Sequence, residues 1–399
     1  MMGVIIFALV PDLYGGGSPE QTNQMARLAT VGAELRTDGG TFRDVELPAE
    51  YQNQEPPSDS QQFETDFSRA LIPYDEVVAA GPSKDGIPAI DNPRFVAVED
   101  MERLLRDQEA MLVVTIGGRT HLYPLQILIW HEIVNDVVGG TPVSVTYCPL
   151  CNTGVVFDRT FDGRVLDFGV TGRLLYSNLL MYDRQTESWW IQATGRGVAG
   201  ENAGQQLRFV PSTMLPWSVA RTTYPDAQVL SFETGYRRDY GRNPYVGYDR
   251  AETPFLYDGP AVVEPESEEP MMRVLSLYHG ESVRAVPFPR LKAERVVQHE
   301  LEGVSLVVFW AAGTASPLDD SWVSGGRDVG TANAFYARAS GRELSFAVEN
   351  GRIRDQQTDS TWNEAGVAEA GPLAGTQLEP ALAVNHFLFS WRAFHPDGE

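Results

Sequence analysis

Short alternating or β-branched runs dominate the chain. PVSVTYC (142–148), GVVFDRTF (154–161), RVLDFGV (164–170), NLLMYDR (178–184) and SWWIQA (188–193) place apolar side chains at every second position or in unbroken runs of strand length, so each predicts a β-strand. Met111–Ile116 predicts another, closed by the Gly117-Gly118 turn. Helical stretches are few: one over Val96–Gln108, one over Leu125–Val138 opened by Pro124 and stopped by Gly139 and Gly140, and one within Thr213–Thr223 before Pro225. The expected fold class is α+β, mostly antiparallel β, with few short helices.

An internal repeat organises this pattern. Asp183, Gln185, Thr186, Ser188 and Trp190 recur as Asp355, Gln357, Thr358, Ser360 and Trp362 at a constant displacement. Gly200, Gly204, Gln206, Leu207, Pro225 and Asp226 recur as Gly371, Gly375, Gln377, Leu378, Pro396 and Asp397 after a single-residue gap. Upstream, Gly163, Arg164, Leu166 and Phe168 match Gly341, Arg342, Leu344 and Phe346 across larger gaps, with PVSVTYCPLCNTG opposite GVSLVVFWAAGTA. The chain therefore divides into an N-terminal arm or tether (1–66), a first repeat unit (67–231), a connecting segment (232–271) and a second unit (272–399). The arm is rich in Gly, Ser, Gln, Pro and acidic residues up to about Gln62.

The chemistry concentrates in the first unit. The only two cysteines, Cys148 and Cys151, stand as C-P-L-C at the end of a predicted strand. Two thiols three residues apart either share one metal ion or close a small disulfide, and a four-cysteine zinc site is excluded within one chain. A thioredoxin-type arrangement needs the first thiol at a helix N-terminus, whereas here a turn and a strand follow. Metal binding therefore ranks above dithiol exchange, with an inert buried pair as the bland alternative.

His131 and Glu132 in WHEIVND supply candidate further ligands from the preceding helix. Cys148, Cys151 and His131 would make a set of two sulfurs and one nitrogen suited to copper, favoured, or zinc. Asn135 and Asp136 are either a polar helix end or outer partners of that site, and Met181 is a core methionine before it is a thioether ligand. The repeat acts as a control. Cys148 falls opposite Phe309, Cys151 opposite Ala312 and His131 near Glu294 or Arg295, so the thiols are not needed to build the unit, whereas Asp183, Thr186 and Ser188 recur and read as a shared turn.

Other constellations fail. No phosphate loop, Rossmann glycine pattern, H-E-x-x-H or G-x-S-x-G is present, and His121, His279, His299, His386 and His395 stand alone.

Composition narrows the partners. Fifty-four acidic residues against 31 basic ones give a net charge of −23, and only Lys84 and Lys292 among the basic residues are lysines. Such a surface repels phosphate backbones, which argues against nucleic acid, and suits a halophile's protein kept soluble in concentrated salt. No apolar run reaches the roughly 20 residues a membrane span needs. The run Gly3–Val10 is either the remnant of an export signal or a first β-strand.

The segments WHEIVND, YCPLCNTG, FDGRVLDFGVTGRLLYSNLLMYDRQTESWW and DGIPAID together resemble the family called domain of unknown function 3179, from roughly Leu71 to the C-terminus. The resemblance implies a bacterial or archaeal protein with an export or lipoprotein signal, hence an extracytoplasmic location and a possible membrane tether at the N-terminus. It implies no reaction. Three functional classes stand from this reading: a metal-binding protein, a thiol-disulfide redox protein using the same cysteines, and a non-catalytic binding module at the cell surface.

Overall fold

The structure is a computed structural model that describes residues 40–257, 259, 269–396 and 398. The apolar run Gly3–Val10 and the rest of the arm before Gly40 lie outside the described residues. The fold is mostly antiparallel β with short helices, as the alternating runs predict.

In the first unit, Ala110–Ile116 and Arg119–Pro124 form a hairpin that leads into the helix Leu125–His131. Ile133–Val138, Thr141–Cys148 and Thr153–Asp158 then form an antiparallel meander. Phe168–Leu175, Asn178–Asp183, Trp189–Ile191 and Gly197–Ala199 make a further sheet, and Thr213–Pro216 returns to the first hairpin before the helix Trp217–Thr223. One exception to the antiparallel rule is Gln228–Leu230, which pairs parallel with Arg119–Pro124.

The same order recurs in the second unit. Arg273–His279, Ser282–Pro287, the helix Phe288–Glu294, Val296–Leu301, Val304–Ala311 and Thr331–Tyr336 repeat the first six elements. Phe346–Glu349, Arg352–Asp355, Thr361–Trp362, Ala368–Ala370, Ala383–Phe387 and the helix Leu388–Phe394 repeat the last six. Strand registers coincide as well: Ile133 faces Thr146 as Val296 faces Phe309. Cys148 thus stands opposite Ala311, two positions from the sequence-based alignment. A two-residue shift keeps every side chain on its face of the sheet.

The units clasp each other reciprocally. Thr153–Asp158 packs on Ala383–Phe387 of the second unit, and the equivalent Thr331–Tyr336 packs on Thr213–Pro216 of the first. Asn333 joins across this seam, its Oδ1 accepting from Met214 N at 2.8 Å. This is the pattern of an isologous pairing, in which each copy offers the same surface to the other.

Three sequence expectations shift. The helix expected over Leu125–Val138 stops at His131, because Glu132 takes a left-handed conformation (φ 59°) and IVNDVV pairs edge to edge with the cysteine strand. A β-branched run fits the pleat better than the helix, and the sheet partner decides. For the same reason Phe95–Ala97 and Thr213–Pro216 are strands, each leading into a short helix, Val98–Met101 and Trp217–Thr223. From Gly40 on, the expected arm lies against the first unit: Gly40 N donates to Gln206 O, Gln52 Nε2 to Ala70 O, and Phe63 sets its ring edge-on to Trp189 at 5.0 Å and to Tyr182 at 5.5 Å. That one buried aromatic side chain supplies more apolar area than the polar composition of the stretch suggests.

Candidate thiol site

Cys148 ends its strand and Thr153 opens the next, so C-P-L-C-N is the turn of a hairpin. Asn152 closes it in a left-handed conformation (φ 51°), which Asn tolerates better than most residues, and its N–H donates to Pro149 O. The turn brings both sulfurs to one acceptor: the Cys151 thiol donates to Ser177 O at 3.3 Å and the Cys148 thiol reaches the same oxygen at 3.8 Å. Both are free, and both are sealed, at 2% and 0% exposure.

Ser177 is carried there by the tip of the hairpin Phe168–Leu175/Asn178–Asp183. Tyr176 and Ser177 both take positive φ, 50° and 65°. Two successive left-handed residues make the tight hairpin turn for which Asn-Gly is the favoured pair, and the second unit uses that pair, Asn350-Gly351, at its shorter equivalent. The first unit instead holds two residues other than Asn or Gly in a conformation that costs of order 1–3 kcal/mol each. Neighbouring bonds fix the tip: the Ser177 hydroxyl donates to Phe255 O and the Tyr176 hydroxyl to Glu76. Asn178 Nδ2 donates to Cys151 Sγ at 3.4 Å and to Gln192 Oε1 at 3.0 Å, while Gln192 Nε2 bonds Thr146 Oγ1 and Thr153 O, which closes a buried polar ring around the turn.

The connecting segment and the second unit complete the enclosure. Tyr248 donates to Leu150 O at 3.0 Å, and Phe387 N donates to Cys151 O at 2.8 Å. Thr153 Oγ1 lies 3.2 Å from Nδ1 of the buried His386.

Electrostatically the site favours neutral groups. Burial pushes the Cys148 thiol well up, and the neighbouring Cys151 thiol adds to this; the backbone amides of Leu179 and Cys151 oppose it. Burial also holds the Glu132 carboxyl far above the usual carboxylate range, with Cys148 as its second influence, and raises Tyr245 next to both.

His131 does not join the thiols. Its Nδ1 bonds Pro88 O at 2.7 Å and its Nε2 the Tyr240 hydroxyl at 2.6 Å, so both ring nitrogens are occupied, and burial pushes its pKa down to about 4. Among the described residues no group of three or more His, Cys, Asp or Glu is placed to hold a metal ion, so the expected Cys148/Cys151/His131 set is not assembled. Helix position alone does not tell which way a ring turns, and here the loop carbonyl of Pro88 captures it. Met181 is a core residue, paired opposite Trp190.

The recurring Asp-x-x-Thr-x-Ser-x-Trp motif builds one turn twice. Asp183 accepts from Thr186 N at 2.7 Å and Trp190 Nε1 at 2.9 Å, and Asp355 accepts from Thr358 N at 2.6 Å and Trp362 Nε1 at 3.0 Å. Its role is structural, as the repeat indicated.

Ser177, Asn178, Tyr245 and Tyr248 went unnoticed in the sequence. One signal for the first two existed: Phe168 to Asp183 is six residues longer than Phe346 to Asp355, and those extra residues form the hairpin end that meets the thiols. The turn itself differs in the opposite sense, since residues 149–152 stand where the second unit inserts residues 312–330. Both length differences, with Glu132 in place of Arg295, converge on one place.

The family described as "Protein of unknown function (DUF3179)" matches residues 84–398. No curated protein and no solved structure matches the chain.

Proposed function

The chain belongs to the DUF3179 family, and from that premise we propose that Cys148 and Cys151 form a buried redox dithiol that closes to an intramolecular disulfide and reopens. The observation that carries this reading is the convergence of both thiols on Ser177 O in a sealed site. Dithiol and disulfide are both neutral, so neither state places charge in a low-dielectric enclosure. A divalent zinc ion would be neutralised by two thiolates but needs further ligands, and a monovalent copper ion needs only two sulfurs but leaves a net negative charge buried.

The exchange balances as follows: once the site opens, Cys148 releases its proton to solvent, and the thiolate attacks a partner disulfide, whose first departing sulfur takes up a proton from solvent. Cys151 then displaces the partner's second sulfur, and the partner leaves as two thiols. Because the sulfurs are sealed, exchange requires the connecting segment bearing Tyr248 to lift. An extracytoplasmic setting belongs to the same proposal, since disulfides persist in oxidising compartments.

One feature favours a second reading, copper(I) held by the two sulfurs alone: Asn178 Nδ2 donates to Cys151 Sγ and the backbone amides of Leu179 and Cys151 favour the Cys148 thiolate, so thiolate charge would be complemented. The deciding experiment equilibrates the full chain, and its Cys148→Ser and Cys151→Ser variants, in glutathione redox buffers and counts thiols after unfolding. Loss of both thiols in oxidised buffer, restored by dithiothreitol and absent in either variant, supports the dithiol. Persistent thiols with stoichiometric copper retained against a chelator support the second reading and overturn the first.

A further inference from the structure

A second cluster lies on the opposite side of the first unit's meander and owes nothing to the thiols. His121, on the strand Arg119–Pro124, places Nδ1 at 2.7 Å from Asp136 Oδ2, and the Tyr123 hydroxyl donates to the same oxygen. Asp136 is almost fully buried, and these two bonds hold its carboxyl below the usual range against the opposing effect of burial. A carboxylate only accepts, so Nδ1 carries a proton, and in the neutral ring Nε2 holds the lone pair. The ring of Phe95, centred 4.3 Å from the imidazole, fixes its plane.

The imidazole is 15% exposed and lines a cavity of about 320 Å³, together with Arg119, Thr223, Tyr224, Asp226 and Gln228. Arg119 is exposed and has no carboxylate partner among the described residues. The second unit again serves as a control. By strand register His121, Tyr123 and Asp136 correspond to Arg284, Val286 and His299, so the dyad is dispensable for the fold.

We propose that His121, oriented by Asp136 and Tyr123, is a general base facing this cavity, and that the cavity takes a small ester bearing a carboxylate which Arg119 receives. In the step, Nε2 removes a proton from water as the water oxygen bonds to the ester carbonyl carbon. The bond to the leaving alkoxide or phenolate then breaks, and Nε2 returns its proton to the leaving group or to solvent; nothing is oxidised or reduced. Asp136 acts through His121 and is a positioning residue.

The test measures hydrolysis of p-nitrophenyl acetate and of the carboxylate-bearing mono-p-nitrophenyl succinate by the full chain, with folding of each variant checked by circular dichroism. The wild type is expected to exceed buffer and to prefer the succinate. His121→Gln should lower the rate by about 100-fold, and Arg119→Gln should abolish the preference. The pH profile should follow one basic group, whose charged or titratable neighbours are Asp136, Tyr123, Arg119, Tyr224 and Asp226, and Asp136→Asn should move its midpoint to lower pH. A folded His121→Gln variant as fast as the wild type, or no rate above buffer, overturns the proposal. An unmoved midpoint in a folded Asp136→Asn variant removes Asp136 from it. Because His121 is partly exposed, its substitution is decisive even where Asp136→Asn unfolds.

Discussion

Cys151 donates its thiol proton to Ser177 O, 3.3 Å away, across a hairpin six residues longer than its counterpart in the second unit. That bond ties the cysteine turn to the tight turn built from a Tyr-Ser pair where the repeat has Asn-Gly. Extra length and backbone strain are thus placed where the two sulfurs sit, while the order of strands and helices is the same in both units.

Glu132 should make the fold less stable as pH rises. Its folded pKa lies well above the ordinary 4.5, so between those values the native state holds a proton that the unfolded chain has released, and stability present below pH 4.5 is lost as pH climbs toward the folded pKa. Glu109, pushed up to about 7 by burial, adds a parallel decline. Urea denaturation of Glu132→Gln across pH 5 to 9 is expected to be flatter than wild type by the Glu132 contribution alone; identical slopes would refute it.

His131 acts with the opposite sign. Its pKa of about 4 against an ordinary 6.5 means that the unfolded chain takes up a proton first, so stability is full above pH 6.5 and falls toward pH 4 by up to about 3 kcal/mol. His395, also pushed down to about 4 by burial, contributes a similar loss. His131→Gln should remove one share of the acid sensitivity and leave thiol count and copper uptake unchanged. A loss of copper uptake would restore this residue as a ligand.

Asp183→Ala and Asp355→Ala should cost nearly the same, about 2–4 kcal/mol each, because each strands a buried Trp Nε1 and a Thr amide in the same turn. Thermal unfolding checks this. A far larger loss for Asp183 with altered thiol reactivity would show that the first copy does more than build its turn.

Salt should stabilise the chain. With a net charge of −23 and almost no lysine, repulsion acts over about 10 Å at 0.1 M ionic strength and about 3 Å at 1 M. The melting temperature is expected to rise by several degrees between 0.1 and 2 M potassium chloride, and a flat response would remove the halophilic reading.

The strands of the first unit were legible because alternation survives in a half-buried sheet, and the duplication was legible because a turn with four hydrogen-bonding side chains tolerates little change. The end of the helix at His131 was not: Ile133, Val134, Val137 and Val138 satisfy a helical stripe as well as a strand, and only the partner strand chooses. The thiols announced themselves by spacing, but their surroundings did not. Ser177, Tyr248 and Phe387 arrive from segments remote in sequence and contribute a carbonyl, a hydroxyl and an amide that no motif marks. His121 and Asp136 likewise belong to different strands and meet only after the sheet forms.

The amide that caps Cys151 comes from Phe387, more than 230 residues further along. During synthesis the sulfurs leave the ribosome long before the strand that finally shuts them in, and that interval is open to any oxidase or metal donor. Before that strand docks the thiols react as an exposed pair; afterwards every exchange waits for the cover of Tyr248 and Phe387 to open, so the same two sulfurs are fast in the nascent chain and slow in the finished molecule.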